Sequence, residues 1–103
     1  MNWRRFAVST AEYQGNKLVN ICDEELLGKT VSEGKLKVHL SKSFYSGESV
    51  DKGEALRLIR VCSIVNLAGE RVVNLALENQ IGAREAVRKI EGVPFLMIYK
   101  FLR

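Results

Sequence analysis

Histidine, proline and cysteine are almost missing from this chain: His39 and Pro94 are single occurrences, and Cys22 and Cys62 are the two cysteines. Two cysteines are too few for a disulfide framework. One histidine leaves no paired imidazoles at ligand spacing and there is no C-x-x-C, so the sequence predicts neither a metal site nor any other cofactor. Long apolar runs are missing too. The most apolar stretch, Phe95 to Tyr99, is followed at once by Lys100, whereas a membrane-spanning helix needs about 20 residues. Met1 to Arg5 carries charge with no apolar segment behind it, which does not read as a secretory signal. The expectation is a cytoplasmic protein with both thiols reduced and no membrane partner.

What is present is an ordinary globular composition: 103 residues, 47% hydrophobic and 27% charged, enough for one domain spanning 1–103. The net charge of +4 is unevenly placed. Arg4, Arg5 and Lys17 face only Glu12 near the start, and Arg84, Arg88, Lys89, Lys100 and Arg103 face Glu85 and Glu91 near the end. If the terminal strands are neighbours, these cations make one basic patch beside Trp3 and Tyr99, of a kind that binds RNA.

Local patterns divide the chain into strands and helices. Alternation over residues 4–8 and again over Lys17 to Cys22, with Tyr13-Gln14-Gly15-Asn16 between, predicts a hairpin. Asp23 to Gly28 reads as one acidic helical turn. Leu36, Val38 and Leu40 alternate with Lys35, Lys37 and His39 as a third strand, and Phe44 and Tyr45 then tuck under the sheet. Asp51 and Glu54 have capping-box spacing ahead of a helix with an apolar face from Leu56 to Ser63. Asn66 is the expected cap of a second helix carrying Ala68, Val72, Leu75 and Ala76, joined to the first by a tight corner. Val87 to Ile90 and Phe95 to Leu102 complete the strands. The latter is apolar on both faces, which predicts a central position or pairing across a subunit boundary. The expected fold is α+β, a two-layer sandwich with a mainly antiparallel sheet of about five strands and two helices on one face.

Signs of chemistry are sparse. Gly28-Lys29-Thr30 has the tail of a phosphate loop, but Asp23 stands where the first glycine belongs and would repel phosphate. Cys22 and Cys62 fall in apolar phases, and the acids after Cys22 oppose a thiolate. Glu24, Glu25 and Glu70 lack a histidine partner for acid–base work. Gly69 lies in the first turn expected of the second helix, where glycine is unfavourable by about 1 kcal/mol. That placement implies close approach of another backbone or a ligand, with Arg71 nearby for an anion. Asp23, Lys29, Asn66, Gly69, Glu70 and Arg71 are therefore the candidate binding residues.

The runs from Cys22 through Asp23-Glu24-Glu25-Leu26-Leu27-Gly28-Lys29-Thr30, Glu33-Gly34-Lys35-Leu36, Phe44-Tyr45-Ser46-Gly47-Glu48, Ile64 to Arg71 and Ile90-Glu91-Gly92-Val93-Pro94 resemble an archaeal family known as domain of unknown function 424. The resemblance implies a small single-domain α/β sandwich and brings no catalytic residue or cofactor with it. The resulting expectation is a non-catalytic accessory protein of information processing, contacting RNA, a ribosome-associated protein or another protein through the Asp23–Thr30 turn and the second helix. An enzyme acting on an anionic metabolite and a structural homodimer are the competing classes, and the oligomeric expectation is monomer or homodimer.

Overall fold

A computed structural model describes residues 4–100. Strands β1 (Phe6–Tyr13) and β2 (Asn16–Asp23) form the expected hairpin, paired from Tyr13 with Asn16 to Phe6 with Asp23. After a 3-10 turn at Glu24–Leu26 come β3 (Thr30–Glu33) and β4 (Leu36–His39), a second hairpin. Then follow β5 (Glu48–Val50), α1 (Lys52–Val61), β6 (Ile64–Ala68), α2 (Glu70–Glu78), β7 (Arg88–Ile90) and β8 (Val93–Tyr99). The main sheet has six strands in the order β5-β1-β2-β6-β8-β7, and β3-β4 stands apart from it. The α+β class holds, with the 36–40 strand in the separate hairpin. No helix among the described residues is long and apolar enough to cross a membrane.

Asp51 caps α1 as its spacing predicts, accepting from the Glu54 amide at 2.9 Å. The second helix differs from expectation. Asn66 lies in the middle of β6, and α2 begins only at Glu70. The tight helical corner is thus replaced by a strand buried against β2 and β8. A short apolar strand was hidden by Asn66, a good helix cap, standing just ahead of a helical pattern. β8 lies inside the sheet as expected, beginning at Val93 rather than Phe95, and Phe101 and Leu102 fall outside the described residues. Leu96 and Ile98 pack into the main core. On its other face Met97 and Tyr99 stay 54% and 52% exposed.

The strand directions explain why one face remains open. β2 and β6 are parallel, and β5 and β7 each reach them through one intervening antiparallel strand, so β5-α1-β6 and β6-α2-β7 are both parallel crossovers. Such connections are almost always right-handed. Both advance the same way across the sheet, so both helices land on the same side. The main core accordingly joins Leu58 and Ile59 of α1 and Val72, Val73 and Leu75 of α2 to Val8, Val19, Ile21, Val65 and Leu67 of the sheet. Among the described residues the opposite face is covered at one end, where Leu40, with Val38, Tyr45, Leu26 and Leu27, packs on Cys22, Ala68 and Phe95.

A Cβ at Gly47 would sit 2.5 Å from the Val8 carbonyl oxygen and 3.2 Å from the Ser9 Cα. Backbone cannot yield as a flexible side chain does, so Gly47→Ala should push β5 off β1. A loss of about 1–3 kcal/mol is expected, seen as a lower urea midpoint at unchanged slope.

Candidate functional site

The candidate residues around Gly69 meet in one cluster at the end of β2. Gly69 directly precedes α2 with φ +120 and offers the helix no side-chain cap. The cap comes from a distant part of the chain. Asp23, 2% exposed, accepts from the Arg71 amide at 2.8 Å and the Val72 amide at 2.9 Å. The positive end of the α2 dipole therefore already faces a carboxylate of the same chain. Gly69 is needed for this approach, since an added Cβ would overlap the Asp23 side chain. Its own amide donates to the Pro94 carbonyl at 2.9 Å, tying the same point to β8.

Arg71 completes the cluster. Its Nε and Nη2 donate to the two oxygens of Glu25 at 2.8 and 2.6 Å, Nη2 also reaches the Arg5 carbonyl at 2.8 Å, and the guanidinium lies 4.5 Å over the Phe6 ring. The Arg71 hydrogen bonds hold the Glu25 carboxyl down at about 2. Burial pushes Asp23 up against the pull of its two amide donors. Burial, with Asp23 and Glu25 beside it, pushes the Cys22 thiol up to about 12, which keeps it protonated. Lys29 and Glu70 are exposed.

The basic residues are not brought together. β2 and β6 separate β1 from β8, so the terminal strands are not neighbours. Arg4 reaches Glu25 at 3.5 Å and Arg5 donates to Ser49. Arg84, Arg88 and Lys89 lie at the far edge around β7, exposed. The Lys100 ammonium donates to the Ile59 and Arg60 carbonyls at the end of α1. Trp3 and Arg103 lie outside the described residues.

Asn66 belongs to a different place, the open side of the sheet. There the strands run in register as rows: Ala7, Cys22, Ala68 and Phe95; then Ser9, Asn20, Asn66 and Met97; then Ala11, Leu18, Ile64 and Tyr99. A groove of about 500 Å³ lies between this surface and the segment from Val38 to Tyr45. Its lining includes Arg88, His39, Phe44, Tyr45, Phe95, Met97, Asn20 and Asn66, and no carboxylate among the described residues. Phe44 and Tyr45 meet edge to face at 4.9 Å, with Phe44 54% exposed. Burial raises the Tyr45 hydroxyl to about 12. Cation and ring surface together suit an anionic, flat-ringed ligand. Among the described residues no three His, Cys, Asp or Glu side chains converge as metal ligands, and the two thiols lie in separate clusters.

Asn20, Phe44 and Met97 were not singled out by sequence reasoning. One signal was available. Leu18-Val19-Asn20-Ile21-Cys22 and Ile64-Val65-Asn66-Leu67-Ala68 share one pattern, and the structure pairs them residue for residue.

A family model described as "Protein of unknown function (DUF424)" matches residues 11–101. Among solved structures, the crystal structure of an uncharacterized conserved protein from Methanopyrus kandleri is similar, with a TM-score of 0.81 and 21% identity over 96% of this chain and 94% of that one. At that identity the likeness concerns the fold. No curated protein matches the sequence.

Two expectations follow from the Asp23 cluster. Gly69→Ala should destabilise the protein by about 2–4 kcal/mol through steric overlap and positive φ, measured by urea unfolding. The second is a pH dependence. Because the folded state holds Glu25 near 2 against an ordinary value of 4.5, its contribution is present above pH 4.5 and is lost as pH falls toward 2. Glu25→Gln should remove that part of the acid limb while leaving the neutral-to-alkaline profile parallel to the parent's.

Proposed function

The chain belongs to this family of proteins of unknown function (DUF424), and from its open sheet face we propose that it is a non-catalytic accessory protein that binds single-stranded RNA. The observation that carries the reading is the groove beside β8, where Arg88 and His39 accompany Phe44, Tyr45 and Phe95 without any carboxylate among the described lining residues. Single strands are held by stacking on exposed rings and by cations along the backbone. Each stacked base contributes about 1–3 kcal/mol. Tyr99 extends the exposed surface beyond Met97 and the groove along β8. Lys37 shares the side of β4 that carries His39, so phosphates leaving the groove by that margin meet further positive charge.

The site differs from the α2 terminus that the sequence points to. There Asp23 supplies the negative charge that a bound anion would otherwise provide, and the Arg71 Nε and Nη2 donors serve Glu25 and the Arg5 carbonyl. On the open face no such internal anion is present among the described groove residues.

Fluorescence anisotropy with a labelled single-stranded RNA tests the reading. Binding should weaken from about 50 to 200 mM salt, with a logarithmic slope near −0.7 per phosphate contacted. Arg88→Glu should lower affinity at least about tenfold and flatten that slope, and Met97→Asp should lower affinity. Lys52→Glu, on α1, should change little. Absence of binding at low salt would overturn the proposal and leave the face to a protein partner.

A further inference from the structure

The middle row of the open face is polar between apolar neighbours, and its hydrogen bonds run in one direction. Asn66 Nδ2 donates to Asn20 Oδ1 at 3.0 Å, and Asn20 Nδ2 donates to Ser9 Oγ at 3.3 Å. The relay begins with an unused acceptor: Asn66 Oδ1 is shielded from water and has no hydrogen-bond partner among the described residues. A buried carbonyl oxygen without a donor is costly. Asn66 lines the groove together with Arg88 and Phe95. Asn20, 8% exposed, accepts from the Asn66 amide in this relay, a bond that Asn66 exchanges for one from the ligand when it turns.

Resting on the RNA reading above, we infer that this groove seats one nucleobase and selects a base bearing an exocyclic amino group, cytosine before uracil. The groove's volume of about 500 Å³ falls in the range of small-molecule sites. A recessed acceptor needs a donor that projects from the ligand, and the cytosine N4 and adenine N6 amino groups project beyond their rings. Uracil carries a carbonyl oxygen at the place of the cytosine amine. Its N3–H sits back between two carbonyls, so an edge presented to Asn66 Oδ1 brings like partial charges together. Arg88, which only donates, matches the ring nitrogen and oxygen acceptors on the same edge of cytosine. Rotation about the broad terminal torsion of Asn66 turns its oxygen to the groove as the donor arrives.

The test uses the full chain and single-stranded RNA oligomers of equal length. Oligo(C) should bind roughly tenfold more tightly than oligo(U), and oligomers of N4,N4-dimethylcytidine, which lack both amino hydrogens, should fall to the oligo(U) level. Asn66→Leu keeps the bulk and removes the amide. It should abolish the preference for oligo(C) over oligo(U), and the modified oligomers carry the test if that variant does not fold. Equal affinity for oligo(C) and oligo(U), preference for uracil, or full binding of the dimethylated oligomer overturns the base seat and leaves the RNA reading standing. Failure of every oligomer to bind at low salt overturns the RNA reading itself.

Discussion

Two parallel crossovers running in the same direction across one sheet decide what this protein presents to its surroundings. A helix is the usual way to connect parallel strands, and the handedness of such connections is almost invariant. Because β5-α1-β6 and β6-α2-β7 both advance from the β5 edge toward the β7 edge, α1 and α2 share a side. The apolar residues of β1, β2, β6 and β8 that face them form the main core. Among the described residues the other side receives the turn after β2, the β3-β4 hairpin and the segment after it, which cover one end. An exposed surface with aromatic, amide and cationic side chains is therefore a product of chain direction, and the groove lies where its covered and uncovered parts meet.

The groups that answer one another within the chain and the groups that stand exposed lie on different parts of this frame. At the end of β2, Asp23 and Gly69 bring α2 onto the sheet, and Glu25, Arg71 and Phe6 close over the junction. These groups answer one another's charges within the chain. The open face has a different character, with the sheet backbone paired beneath it and side chains such as Met97 and Tyr99 standing half in solvent.

Much of the architecture was legible where structure is local. The β1-β2 turn, the Asp51 cap and the acidic turn after β2 all depend on residues within a few positions of one another. The helix α2 was misplaced because its cap is non-local: Gly69 contributes no side chain and Asp23 reaches it across the fold. Asn66 looked like the missing cap for the same reason. The basic ends of the chain likewise suggested one patch, and only the insertion of β2 and β6 between β1 and β8 separates them. Of the candidate binding residues, Asp23, Gly69 and Arg71 lie together in the structure. The groove was not legible, because it joins Asn20, Phe44, Asn66, Arg88 and Met97 from segments whose proximity follows from strand order alone.

The pairing of β2 with β6 also governs how quickly this chain reaches its native state. The β1-β2 hairpin connects neighbours in sequence, and hairpins close in about 1–10 μs. Asn20 and Asn66 meet across a separation of 46 residues, so the parallel pair must overcome loop-closure entropy before its contacts return any free energy. The widest sequence separation in the main sheet therefore falls at the same two strands whose amides line the groove, and closing that loop carries the largest entropic cost of its pairings.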